Sequence, residues 1–219
     1  MKILMSIAMF ALAASTGSAQ IRRPVRVAEP SMWLSGGVGL FQANSISDGA
    51  TRTTWDFGQA SNVQLRASAE KAFRGGSSIG LVATYVHAPF TYYSRIDDQN
   101  LRESAHMDLV SIGGSFHVGA GLGLHQVLEG SAGLAQYRNL RRDDDGRRLE
   151  PLSGNVDPYF SFGYGFGYGF NSTTQVSVVQ DIALVVHERK GLSSDQSNTL
   201  RQRPIRVNFR YGIGSRSRR

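Results

Sequence analysis

Three groups of residues in this sequence are of types that could do chemistry. Ser115-Phe116-His117 puts a hydroxyl and an imidazole two residues apart, on one side of an extended chain, and Glu129 could join them from a neighbouring strand. A Ser–His–acid set of this kind activates the hydroxyl as a nucleophile. Asp143-Asp144-Asp145-Gly146 gathers carboxylates beside a glycine, which suits calcium. The third group is dispersed: Arg66, Glu70, Glu129, Asp181, Arg206 and Arg210 each occupy a polar position in an otherwise apolar alternation. Charges of both signs so placed can serve as the selectivity charges of a pore, or can neutralise one another in a closed interior.

Each group also has a plainer reading. Ser and His are common on polar strand faces, and His87, His106, His125 and His187 have no Ser two residues onward. Calcium loops place their carboxylates at alternate positions, whereas here three are consecutive between Arg141-Arg142 and Arg147-Arg148, as in a solvated loop tip. Gly119-Ala120-Gly121-Leu122-Gly123 has no βαβ unit around it, so it is a turn and not a dinucleotide fingerprint. No catalytic, cofactor-binding or metal-ligating residue is therefore expected. The six charged residues are expected to form a lumen charge cluster.

The elements that position these residues are eight alternating segments, near 32–42, 63–73, 78–88, 106–118, 125–138, 157–170, 174–187 and 203–214. Their length suits a tilted strand that crosses a membrane. The connections alternate as well. Gln42 to Asn62, Pro89 to Ala105, Asn139 to Val156 and Glu188 to Gln202 are long, and the links at Arg74–Ser77, Gly119–Leu124 and Asn171–Thr173 are short. Outer-membrane barrels sort their loops this way, with short periplasmic turns and longer outside loops, and Greek-key sandwiches have no reason to. In the sixth segment Phe160, Phe162, Tyr164, Phe166, Tyr168 and Phe170 share one face, opposite Ser161, Gly163, Gly165, Gly167 and Gly169. A row of rings that bulky does not fit a narrow lumen, so the apolar face is read as outward. Gln180 and Lys71 fall on that face and count against it, and the third segment is apolar on both faces. The expected fold class is all-β: an eight-stranded antiparallel transmembrane up-and-down β-barrel. Pairing the last two segments from the residues that flank their loop, His187 near Arg203, places Asp181 opposite about position 209, so Arg210 is its expected partner.

Lys2, the apolar stretch Ile3 to Ala14 and the small residues Ser15 to Ala19 have the layout of a secretory signal peptide cut after Ala19. The expected organisation is a signal peptide at 1–19, a periplasmic N-terminal segment at 20–31, the barrel at 32–214 and a basic periplasmic tail at 215–219. No later apolar run is long enough for a spanning helix. The absence of cysteine removes disulfides and thiolate metal sites. Net charge is +7, and losing Lys2 leaves +6 (7 − 1), nearly all of it arginine. For an exported chain this points away from nucleic acid and toward anionic headgroups and lipopolysaccharide phosphates, which the arginine fork matches.

With its signal peptide, eight strands and alternating loops, the chain resembles the small outer-membrane β-barrel proteins of the OmpA/OmpX type over about residues 32 to 214. Many members end on an aromatic residue read by the insertion machinery. Val207-Asn208-Phe209-Arg210-Tyr211-Gly212-Ile213 is similar, but here Ser215 to Arg219 follows. The resemblance implies a porin-like, monomeric protein of a Gram-negative outer membrane, in contact with outer-membrane lipids, lipopolysaccharide and the insertion machinery. Its implied role is envelope integrity, adhesion or another surface contact, with no enzymatic activity and no cofactor. A lipid A-modifying enzyme and a narrow solute channel stay open as alternatives, because eight-stranded barrels also include lipid A-modifying enzymes. One of those families, the lipid A deacylases, uses a His-x-Ser motif, and this chain has only the reverse order at Ser115–His117.

Overall fold

A computed structural model describes residues 29–58, 62–73, 75–96, 99–151, 156–194 and 196–214. The expected signal peptide, most of the N-terminal segment and the basic tail lie outside these residues.

The strands are β1 (Met32–Phe41), β2 (Ile46–Asp48), β3 (Thr53–Asp56), β4 (Asn62–Ala72), β5 (Ser77–Ile96), β6 (Gln99–Val118), β7 (Gly123–Arg142), β8 (Val156–Gly169), β9 (Thr174–Val186), β10 (Thr199–Gln202) and β11 (Ile205–Ile213). Eight of them close an antiparallel barrel in the order β1-β4-β5-β6-β7-β8-β9-β11, and β11 returns to β1. The short strands decorate one rim: β2 and β3 form a hairpin that extends β5, and β10 continues beside β9. Closure matters because an open edge inside hydrocarbon would leave backbone N–H and C=O groups without partners.

Three strands are longer than the sequence reading allowed. β5, β6 and β7 each run 20 residues. Residues 89–96 and 99–105, expected within a loop, are instead parts of two strands in continuous pairing, with Pro89 opposite His106. β7 likewise continues to Arg142, past a bulge where the β6–β7 register shifts between His106 and Asp108. Asn139 absorbs the extra residue with φ of 52°, and asparagine tolerates that left-handed conformation better than most residues.

Along these strands the inside–outside pattern reverses. On β5 the outward side chains pass from Leu81, Ala83 and Tyr85 to His87, while the inward ones pass from Thr84 to Val86, Ala88 and Phe90. On β6 the outward face goes from Phe116 and Ile112 to Asp108, and the inward face from His117, Ser115 and Ser111 to Leu109 and Met107. β7 follows, from outward Leu128 and Leu134 to Arg138, and from inward Glu129 and Ser131 to Ala135 and Tyr137. Below this level the wall is apolar outside, as hydrocarbon requires; above it the wall is polar outside, as water requires. The third segment is apolar on both faces because it crosses that level.

The outward face below the reversal carries Leu34, Val38, Leu65, Leu81, Ile112, Phe162, Phe166, Val178, Ile182, Val207 and Phe209, all exposed. Phe73, Tyr168, Phe170 and Tyr211 ring the short-turn rim, where aromatic girdles form. Gln180 does not disturb this belt. Its side-chain amide donates to the Asp181, Arg203 and Pro204 carbonyls at 3.1, 3.2 and 3.1 Å, beside the break that Pro204 makes in the ladder. Lys71 is exposed near the short-turn end of β4, where its head can reach water.

Candidate functional site

The six charged residues singled out from sequence all point inward and are buried. Three cations, Arg66, Arg206 and Arg210, meet three anions, Glu70, Glu129 and Asp181, in the lower interior. Arg206, on β11, bonds Asp181 of β9 through Nε at 2.5 Å and Nη2 at 3.2 Å, and Nη2 also reaches Glu129 of β7 across the lumen. Arg66 of β4 bonds the same Glu129 oxygen at 3.2 Å. Arg210 forms a second centre with Glu70 at 2.8 Å; Ser68 and Ser78 donate to that carboxylate, and the guanidinium lies over the Trp33 ring, 4.7 Å from its centroid.

Asp181 therefore pairs with Arg206 and not with Arg210, the partner expected from sequence. That expectation set His187 near Arg203. In the structure β10 begins earlier, Thr199 pairs with Val186, and the same register carries into β11, where Arg206 stands opposite Val179 and Arg210 opposite Gln175. The offset moves the four-residue spacing between the two arginines onto different acids.

Glycine makes the room. A Cβ on Gly39 would stand 2.8 Å from Arg206 Cβ, and one on Gly163 would stand 2.2 Å from Asp181 Oδ1. Of the alternating glycines of β8, Gly163 makes room for Asp181 and Gly167 for His125, whereas Gly165 and Gly169 lie against neighbouring backbone.

Ser115, His117 and Glu129 share the inner face of β6 and β7, where His117 stands opposite Glu129 and Ser115 opposite Ser131, but they do not form a nucleophile system. His117 Nδ1 faces Glu129 Oε1 at 3.0 Å, and Nε2 faces the Gly119 carbonyl at 2.7 Å. Both ring nitrogens point at acceptors, so neither can take a proton from Ser115. The Ser115 hydroxyl is buried with no hydrogen-bond partner. The set positions Glu129; it does not activate a hydroxyl. Asp143, Asp144 and Asp145 lie on an exposed turn, where Asp143 faces His106 Nδ1 at 2.6 Å and Asp145 accepts from the Arg147 amide at 2.9 Å.

Sequence reasoning missed the upper interior. There Phe41, Ile46, Trp55, Phe57, Val86, Phe90, Met107, Tyr137, Val185 and Leu200 pack into an apolar core drawn from the barrel wall and from the β2–β3 hairpin. Set among them is His187, one residue past β9. Its Nδ1 is 2.7 Å from Asp157 and its Nε2 3.6 Å from Asp48 on β2, with the Trp55 and Tyr137 rings 5.8 and 6.0 Å away. Burial works against the charged ring, but the two carboxylates outweigh it and hold the His187 pKa above its ordinary 6.5. The available signal was Trp55 inside a stretch read as loop.

An outward apolar belt, a closed eight-stranded wall and a lower lumen of paired charges together decide the fold. This chain has the fold of a small outer-membrane β-barrel protein. Solved structures agree. Neisserial surface protein A (NspA) superposes with a TM-score of 0.56 at 13% identity, over 84% of this chain and 97% of that one. The outer membrane protein OprG from Pseudomonas aeruginosa superposes with a TM-score of 0.51 at 10% identity, over 85% and 98%. No protein-family model matches the sequence, and no curated protein matches it either. The barrel shares architecture with these proteins and little sequence.

Proposed function

We propose that this barrel is a non-enzymatic monomer, placed by the outer-membrane insertion machinery, that supports the envelope and presents a rigid, water-facing rim at the cell surface. The observation that carries this reading is the reversal along β5, β6 and β7. Strands that continue as paired sheet above the apolar belt, over a packed core, make a fixed platform, and a fixed platform keeps its contact residues in place without an ordering cost on binding. The long-loop rim faces outward in this reading, and the short turns face the periplasm. The buried core at the upper end also argues against a conducting lumen, since an ion there would lose its water without polar groups to replace it.

The test is surface display. An epitope inserted after Asp144, on the exposed turn beyond β7, should be bound by antibody on intact cells. Binding only after permeabilisation would overturn the orientation. In planar bilayers the purified protein should give no single-channel steps, and the lipid A of cells with and without it should carry the same acyl chains. Discrete conductance steps or an altered acylation pattern would replace this reading with a channel or an enzyme.

A further inference from the structure

A cleft of about 490 Å³ opens on the outer wall at the long-loop end, lined by Gln42, Ala43, Asn44, Gly58, Arg201 and Arg203. Its position follows from register. Leu40 pairs with Ile205 across β1 and β11, and both are exposed in the belt. Gln42, just past β1, and Arg203, between β10 and β11, are the next exposed positions along the chain, and Arg201 stands opposite Leu184 of β9. The two guanidinium stems thus begin where the apolar belt ends.

The floor of the cleft is fixed by backbone. The Arg203 amide donates to the Gln42 carbonyl at 2.8 Å, the Asn44 amide to the Arg201 carbonyl at 3.1 Å, and the Arg201 amide to Asn44 Oδ1 at 2.6 Å. Phe41, Leu200 and Gln202, the alternating neighbours, are buried on the inner side. Both arginine side chains are exposed, and neither guanidinium has a partner among the described residues. On the opposite wall three arginines are already engaged: Arg138 by Gln136, Arg141 by the Gly146 carbonyl and Arg142 by Glu103. Asp56, close to the cleft in sequence, spends Oδ1 on the Gly58 amide at 2.9 Å.

We propose that this cleft binds the phosphate of a phosphorylated glycolipid headgroup in the outer leaflet, with Arg201 and Arg203 as its anion ligands and the acyl chains lying on Leu40, Ile182 and Ile205. An arginine fork matches phosphate oxygens bidentately, and a belt edge directly below supplies what a free anion would not use. The inference rests on the outward orientation proposed above, which the Asp144 epitope tests independently, so the two can fail separately.

The test uses the mature chain refolded in neutral-detergent micelles, with bound lipid counted by native mass spectrometry. Diphosphoryl lipid A should bind saturably, and its dephosphorylated form should bind at least about tenfold more weakly, because two charge-assisted contacts are lost. The exposed double variant Arg201→Gln/Arg203→Gln should bring diphosphoryl lipid A down to the dephosphorylated level while keeping its heat-modifiable gel migration. Arg147→Gln/Arg148→Gln, two exposed arginines elsewhere on the same rim, should leave binding unchanged. Equal binding of the two lipids by the wild-type chain would overturn the proposal. So would an equal loss in the two double variants, which would mean unspecific attraction, or competition by millimolar inorganic phosphate as effective as lipid A, which would make the ligand a free anion.

Discussion

In the lower interior Arg66, Arg206 and Arg210 face Glu70, Glu129 and Asp181, and the wall outside them is apolar; in the upper interior Trp55, Met107 and Leu200 pack together, and the wall outside carries His87, Asp108 and Arg138. One chain thus solves the same problem twice with opposite chemistry. Where lipid surrounds the wall, apolar side chains already have a favourable place outside and the lumen receives the polar ones, which must then satisfy each other. Where water surrounds the wall, apolar side chains gain by turning inward, as in a soluble barrel. The level of the reversal marks the edge of the hydrocarbon.

The comparison breaks most visibly at Arg206. Replacing it with methionine leaves Asp181 without its guanidinium and Glu129 with one fewer, in a lumen that cannot hydrate them. Loss of one partner of a buried pair costs about 3–5 kcal/mol. Arg206→Met should lower the urea midpoint of the whole barrel, measured by reversible folding into detergent, and Asp181→Leu added to it should recover part of the loss. Full additivity would mean that the two side chains do not share an interaction.

Trp55→Ala probes the upper half and should behave differently in kind. Deleting a buried tryptophan costs about 3–5 kcal/mol, yet here the cost falls on the rim, because the lipid-belt strands do not depend on it. Trypsin should cut this variant rapidly at Arg52, next to β3, while the heat-modifiable barrel persists. If the barrel and rim instead melt together, the two halves form one cooperative unit and the contrast drawn here fails.

Phe162→Arg tests the outer face of the lower half. Phe162 is 51% exposed and its neighbour Gly163 is buried. An arginine near mid-bilayer costs about 2–4 kcal/mol in such barrels, and Arg138→Phe, above the reversal, should cost far less. A neutral Phe162→Arg in bilayer folding titrations would remove the belt from lipid.

How much of this was legible in sequence follows the same division. The lower half was readable, because β8 alternates aromatic with glycine over its whole length and the charges fall on a single face of each strand. The alternation of β8 alone gave the outward direction of Phe162, and the six charges lie buried in the structure. The upper half was not, because an alternation that inverts partway along a strand looks like two apolar faces, and Pro89 looked like an end when it tolerates an outward position with no ladder donor. The pairing of Asp181 failed for a different reason. Its face was right, but choosing between Arg206 and Arg210 required the register, which the length of ordered β10 sets and composition does not.

The smallest expected effect is at the join of the rim and the barrel. His187 links Asp157 on β8 to Asp48 on β2, and its pKa is raised above 6.5, so the charged ring is favoured in the folded rim. A raised pKa gives stabilisation that is complete below the unfolded value and lost as pH climbs through the folded one. The β2–β3 hairpin should therefore be held most tightly in mildly acid conditions and loosen as pH rises past neutrality. Amide exchange at Ile46, Ser47 and Asp48, corrected for the intrinsic pH dependence, should quicken over that interval in the native protein. In His187→Gln the corrected rates should be flat with pH, while amides of the lower strands such as Val178 and Val207 should not respond in either protein. A pH dependence that survives in His187→Gln would assign the titration to another group, and a response that spread to Val178 and Val207 would mean that acid and base act on the barrel as a whole.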